Sequence, residues 1–294
     1  MKLTRLLPIV AACITGAVPS LGFCGSSNPS PEAVDAARGF QNARRARTVG
    51  VPSAGRLNLT EILVISTHVH IIESEKDAGL VTDQMFKDQM RVLNETFAPH
   101  KIQFAVKSVS HTINNVWASS TRNRDKALTL RQGGYDELNL FFESGIGRSP
   151  DQVTGLCEFP VQDPTNTGMN GTSWMEWDGC HVGAVTMPGG PGTPMEATDN
   201  LGKTATHEVG HWFGLFHVFE GDSCDGDGDL IDDTPMMATA STGCEVGQDT
   251  CPDQPGLDPI HNYMDYSSKP CQFEFTPQQE ERMYQSFNTL RKGR

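Results

Sequence analysis

A chain of 294 residues has room for one large or two ordinary domains. Lys and Arg total 23 against 36 Asp and Glu, a formal net charge of −13, which argues against nucleic acid as a partner because that affinity comes from basic groups neutralising phosphates. With 37% hydrophobic residues, 14 Phe and 4 Trp, the chain can bury a core, and wholesale disorder is excluded.

Lys2 and Arg5 precede an apolar run over residues 6–18 that closes in the small residues Ala17, Ser20 and Gly22. It is too short to span a bilayer, which takes about 20 residues, and it has the pattern of a secretory signal peptide over residues 1–20. Nothing later is long and apolar enough to cross a membrane, so a secreted, soluble protein with no membrane partner is expected. Residues 21–56 are rich in Ser, Pro, Ala, Gly and Arg without strong helical or strand period, and are read as a leader or pro-segment. Arg44, Arg45 and Arg47 offer a processing point there. The remainder, residues 57–294, is read as the functional domain.

Residues 62–72, dense in β-branched side chains, predict a largely buried strand. An amphipathic helix is expected over residues 82–97, with Met85, Met90 or Val92, and Phe97 turned inward. Further strands are expected at residues 102–109, 138–142 and 182–187. This order implies an α+β fold with a mixed sheet over residues 60–190. Beyond residue 219 the chain reads as loop until Thr276-Pro277-Gln278-Gln279, which caps a helix running to about residue 291. So loop-rich a stretch needs disulfides or bound ions to hold it.

Cys13 leaves with the signal peptide, and seven cysteines remain: Cys24, Cys157, Cys180, Cys224, Cys244, Cys251 and Cys271. In an oxidising compartment six of them pair, and fifteen connectivities are open. Asn58, Asn94 and Asn170 begin N-glycosylation triplets, each an acceptor only on an exposed loop.

The chemistry is concentrated in residues 207–217, His-Glu-Val-Gly-His-Trp-Phe-Gly-Leu-Phe-His. On a helix His207 and His211 stand one turn apart on the same face, where two imidazoles reach one ion. Glu208 lies between them, placed to address a metal-activated water as general base without being a ligand. Gly214 can take positive φ, end the helix and let His217 return as a third nitrogen ligand. Three protein ligands with an open fourth position are the catalytic zinc arrangement. His68 and His70, two apart on the first strand, are read instead as packing or hydrogen-bonding residues of the sheet.

This motif, with His261-Asn262-Tyr263-Met264-Asp265-Tyr266 downstream, resembles the metzincin metalloproteases and, within them, the pappalysin family in its secreted single-domain fungal and microbial branch. The resemblance implies a zinc metalloendopeptidase with a twisted sheet and active-site helix over an irregular C-terminal subdomain stapled by disulfides and calcium. It implies Met264 as the methionine of the tight turn beneath the metal, and Tyr266 as a second catalytic group that stabilises the oxyanion. It also implies substrate lying antiparallel to an edge strand, placed by position at residues 182–187. The pairings Cys224–Cys251 and Cys244–Cys271 follow from the resemblance, with Cys157–Cys180 as the remaining pair and Cys24 left over. As thiolate, Cys24 could take the open zinc position and hold a precursor inactive.

Residues 219–275 carry 13 acidic side chains against Lys269 alone. Asp225, Asp227, Asp229, Asp232 and Asp233, close behind Asp222, are hard oxygen ligands suited to Ca²⁺, and the resemblance implies calcium in this loop. Family members that cut before basic residues carry an acidic side chain just before the cysteine matching Cys271. Here Lys269-Pro270 stands there, so a basic preference does not carry over. The expected partners are protein or peptide substrates of a monomer. The alternative is a calcium-stabilised secreted binding module with a non-catalytic zinc site, against which the intact Glu208 speaks.

Overall fold

The computed structural model describes residues 24–26, 28–48, 61–149, 153–166 and 171–294. The signal peptide expected at residues 1–20, Asn58 and Asn170 lie outside them. Among the described residues no helix is long and apolar enough to cross a membrane.

The first element departs from expectation. Pro31–Thr48 is an 18-residue helix, α1, within the stretch that shows no strong period. Ser30 Oγ accepts from Ala33 N at 3.2 Å and Pro31 occupies the first turn, a start signal that the sequence does carry. Its buried stripe is Ala33, Ala37 and Gln41, too small to register as amphipathic. The two alanines pack on Phe216 and Leu230, about 180 residues away in sequence.

β1 (Leu63–Glu73) is buried from Thr67 to its end. α2 (Asp83–Phe97) follows, with Thr82 accepting from Met85 N at its N-cap and Met85, Gln89, Met90, Leu93 and Phe97 buried. β2 (Ile102–Ile113), the short α3 (Arg124–Leu130) and β3 (Leu138–Glu143) come next. β4 (Gly155–Cys157), the single turn α4 (Trp174–Trp177) and β5 (Cys180–Gly183) complete the sheet region. The strand order is β2-β1-β3-β5-β4, parallel except for the β4–β5 pair. The fold is therefore α+β with a mixed five-stranded sheet.

Two details correct the sequence reading. The strand expected over residues 182–187 ends at Gly183, and Ala184–Thr186 form a 3-10 turn closed by Thr186 Oγ1 donating to Gly183 O at 2.9 Å. That strand is also interior, paired on both sides. The edge on that side is β4, because sheet order is a tertiary property that chain order does not report. His68 and His70 bond to Ser108 and Ser110 of β2 at 2.7 and 2.9 Å, and His70 also meets Asn139 of β3 at 3.1 Å. Burial lowers His70 to about 4, so it serves the sheet as a neutral imidazole.

α5 (Lys203–Trp212) packs beneath the sheet, and α6 (Pro277–Ser286) closes the chain with a Thr276/Gln279 capping box before a final turn of π-helix, Phe287–Arg291. Arg291 is sandwiched between the rings of Trp212 and Tyr135, 4.0 and 4.4 Å from their centroids, and pairs with Asp178 at 2.9 Å. The end of the chain thus braces the end of α5. Between α5 and α6 the segment is irregular and holds disulfides Cys224–Cys251 and Cys244–Cys271; Cys157–Cys180 ties β4 to β5. Each of the first two closes a separation of 27 residues, a constraint on the unfolded chain of about 3.5 kcal/mol.

Candidate metal centre

α5 starts at Gly202, whose positive φ of 76° and carbonyl bond from Gln89 at 3.0 Å fix the helix against α2. Every residue of the helix from Thr204 to Trp212 is buried. Gly214 has φ +85°, and Gly214 N and Leu215 N donate to His211 O and Gly210 O, so the chain turns sharply after the helix. Val218 N then reaches Met264 O at 3.3 Å, which brings His217 back over α5.

The three imidazoles converge. His217 Nε2 lies 3.2 Å from both His207 Nε2 and His211 Nε2. The far nitrogens are committed: His207 Nδ1 donates to Tyr263 O at 2.7 Å and His211 Nδ1 to Leu215 O at 2.8 Å. Those bonds leave both inward Nε2 atoms as bare lone pairs, mutually repulsive unless a cation lies between them. Three nitrogens bound tetrahedrally to one zinc ion stand about 3.3 Å apart, so the donor set fits that ion. Burial lowers all three imidazoles, His211 to about 4, and neutral imidazole is the ligating form.

Met264 lies fully buried directly under this turn of helix. A Cβ on Gly210 would lie 2.4 Å from Met264 Sδ, a clash that explains a glycine in the middle of α5. Tyr266 Oη is 3.3 Å from His217 Nε2, and burial pushes its phenol up.

Glu208 is buried beside the histidines. Its Oε2 accepts from Cys24 Sγ and Ser26 Oγ, each at 3.4 Å, and its Oε1 has no partner. Burial raises the carboxyl to about 8. The edge strand passes over it: a Cβ on Gly155 would lie 2.5 Å from Glu208 Oε1.

Cys24 completes the cluster. Its sulfur and one nitrogen from each of His207, His211 and His217 all lie within 4.8 Å of one another, the one group of converging metal-ligating side chains among the described residues. Cys24 is bridged to Gly155 in parallel, Gly25 N donates to Gly155 O at 2.7 Å, and Ser26 Oγ bonds Cys157 N and O at 3.1 Å. Ser26, absent from the sequence reading, was discoverable only through its adjacency to Cys24.

The five aspartates read as calcium ligands are not brought together. Asp227 pairs with Arg38 at 2.8 Å; Asp232 takes Arg44, Arg45 and Gln41. Asp233 caps α6 by accepting from Thr276 Oγ1 and Gln278 N, and Asp225 is exposed. Asp229 alone turns inward, bonded to Thr234 and Ile231 through Oδ1, with Oδ2 unpartnered. The arginines read as a processing point are the same ones that clamp α1 to this loop, joined by Arg47 on Glu281 at 3.0 Å. Asn94 sits on α2, its amide bonded to Met90 O and Phe104 O, not on an exposed loop.

A family profile described as "Peptidase M43: Pregnancy-associated plasma protein-A" matches residues 171–288. The chain is 41% identical over 294 residues to an extracellular metalloprotease of Pyricularia oryzae, covering 99% of this chain and 98% of that one. It is 40% identical to another from Colletotrichum graminicola, covering 97% and 96%. Among solved structures it shares the fold of a mutant of Tannerella forsythia promirolysin, with TM-score 0.62 and 23% identity over 91% of this chain and 94% of that one. Mature mirolysin with a cleaved peptide superposes with TM-score 0.58 at 22% identity, over 79% of this chain and 97% of that one. With identity at this level across nearly its whole length, the chain belongs to the peptidase M43, or pappalysin, family of extracellular metalloproteases.

Proposed function

We propose that the chain is a secreted zinc endopeptidase, with His207, His211 and His217 holding the ion and Glu208 acting as general base and then general acid. The observation that carries this reading is the convergence of the three imidazoles, His217 Nε2 standing 3.2 Å from both His207 Nε2 and His211 Nε2, with Glu208 alongside. When bound, zinc supplies Lewis-acid polarisation of the scissile carbonyl and makes water acidic near neutral pH. Glu208, with an elevated proton affinity and a free Oε1, takes the proton from the attacking water and passes it to the leaving amine. Tyr266, beside His217 and bearing an O–H that burial keeps protonated, donates to the charge developing on the carbonyl oxygen. The backbone carbonyls of Tyr263 and Leu215 hold two of the imidazoles in place, and Met264 packs against Gly210 between them.

In this reading residues 1–20 are the signal peptide, 21–56 the pro-segment and 57–294 the catalytic domain. Support for the pro-segment is its seat: Cys24 completes the histidine cluster, Ser26 covers Glu208, and Gly25 occupies the edge strand. Promirolysin also matches more of this chain than mature mirolysin does. The calcium expectation then belongs to the mature form, in which the acidic loop loses the arginines of α1 and Asp229 keeps an unpartnered oxygen.

Cleavage of a denatured protein by the purified full chain and by its Cys24→Ala and Glu208→Ala variants tests this. Cys24→Ala should be active without a lag, and chelator should abolish that activity. Glu208→Ala should bind stoichiometric zinc with turnover at least a thousandfold lower. Wild-type turnover in Glu208→Ala refutes the mechanism, and an unchanged lag in Cys24→Ala refutes the latency role.

A further inference from the structure

Lys269 is the one basic residue in the acidic stretch of residues 219–275, and it is 5% exposed. It opens the turn Lys269–Cys271, five residues beyond Met264. That turn is rigid. Cys271 is bonded to Cys244, Lys203 Nζ donates to Lys269 O and Gln272 O at 2.7 Å, and Gln272 Nε2 donates to Asp265 O and Ser267 O.

The ammonium is another matter. Among the described residues it makes no hydrogen bond and no ion pair within 4.0 Å, and it is not among the buried atoms sealed from solvent. A buried lysine is ordinarily paired; Lys126 here meets Glu143 and Ser120 O. Asp199, Glu208, Asp265 and Glu196 surround Lys269 at electrostatic range, but none closes on it. Each has at least one oxygen engaged elsewhere: Asp199 with Thr193, Glu196 with Thr198, Asp265 with Ser241 and Ser267, Glu208 through Oε2 with Cys24 and Ser26. Lys203, which holds Lys269 O at 2.7 Å, opens α5 one helical turn before His207, so the turn carrying Lys269 is fixed against the helix that bears the metal-site histidines, and its charge is felt at both His207 and Glu208. A cation with three unused donors, on a rigid turn beside the reacting groups, is a receptor for an anion.

We infer that Lys269 is a specificity-determining residue, and that the enzyme selects peptides carrying an aspartate or glutamate side chain beside the scissile bond. The inference rests on the endopeptidase reading above and adds its substrate class. A carboxylate entering there gains a charge-assisted bond in a largely desolvated site. A basic side chain meets like charge and a neutral one leaves the ammonium unpaired.

Mass-spectrometric mapping of cleavage sites in a proteome-derived peptide library, with the Cys24→Ala protein, reads the preference without altering Lys269. Asp or Glu should be enriched at least tenfold at one subsite. Lys269→Gln should lose that enrichment, the ratio of cleavage at acidic to neutral sites falling at least tenfold, and Lys269→Glu should enrich Lys or Arg at the same subsite. A flat or basic wild-type profile overturns the inference, as does a Lys269→Gln profile identical to wild type. Absence of any cleavage counts against the endopeptidase reading instead. In that event calorimetric binding of acidic and neutral peptides to Cys24→Ala/Glu208→Ala protein decides the matter: equal affinity, or no loss on Lys269→Gln, sinks the acidic preference. Thermal melts of the variants separate misfolding from altered selection, and the wild-type profile stands whether or not they fold.

Discussion

The same substitution, glycine to alanine, should act with opposite sign on two helices of this protein. In α5 a Cβ at Gly210 would lie 2.4 Å from Met264 Sδ, and Met264 is fully buried in the main core, with little room to retreat. Overpacking of this kind costs about 1–3 kcal/mol, and replacing a mid-helix glycine returns about 1 kcal/mol of backbone entropy. The net expectation for Gly210→Ala is a loss of about 1 kcal/mol, or about 3 °C in Tm for a chain of this size, with weakened zinc retention because His207 and His211 flank the site. In α1 a Cβ at Gly39 meets nothing within 4 Å and the backbone is already helical. Gly39→Ala should therefore gain up to about 1 kcal/mol, seen as amide protection across α1 rising about fivefold. Scanning calorimetry and zinc content read the first variant, and hydrogen exchange of residues 31–48 reads the second. A Tm for Gly210→Ala equal to or above wild type would show that propensity governs α5, and that the glycine is not there to admit Met264.

The clamp on α1 should resist mild acid. Asp232 is lowered to about 2, chiefly by its bond from Arg45 and then by Arg44. A depressed carboxyl contributes its full stabilisation above its unfolded value of about 3.9 and loses it as pH falls through the folded value. Amide protection of α1 should accordingly hold at pH 5 and collapse only below about pH 4; loss between pH 7 and 5 would assign the clamp to other groups. Chelation should destabilise the fold as well as stop catalysis, since it leaves the facing Nε2 atoms unscreened. A zinc excess of 1,000 Kd corresponds to about 4 kcal/mol, so phenanthroline should lower Tm by about 10 °C, reversibly on adding zinc; an unchanged Tm would mean that no ion is held there.

What the sequence disclosed best was chemistry compressed into short spacing. Residues 207–217 specify a helix, a glycine turn and a returning histidine within eleven positions, and most of what brings their nitrogens together is local, the Val218–Met264 and His207–Tyr263 bonds completing it. Strand β1, helix α2 with its Thr82 cap and the Thr276/Gln279 box were legible for the same reason: each is a local pattern. Elements whose logic is distant were not. The alanine face of α1 acquires meaning only from Phe216 and Leu230, and its arginines only from Asp227, Asp232 and Glu281. The edge position of Gly155–Cys157 depends on how five strands are ordered, and three residues show no period. Lys269 was visible as an odd charge before Cys271; its lack of a partner needed coordinates.

The direction of one short contact has a kinetic meaning. Cys24 and Gly155 are bridged in parallel, whereas the family resemblance implies a substrate antiparallel to the edge strand. If residues 21–56 are a leader, their Cys24–Ser26 segment lies back to front relative to such a substrate, with amine and carbonyl sides exchanged relative to Glu208. A peptide reversed in this way can rest against the catalytic carboxylate without being aligned for hydrolysis by it, so on the latency reading the lifetime of the precursor is set by how often the leader lifts away, not by how fast the chemistry runs.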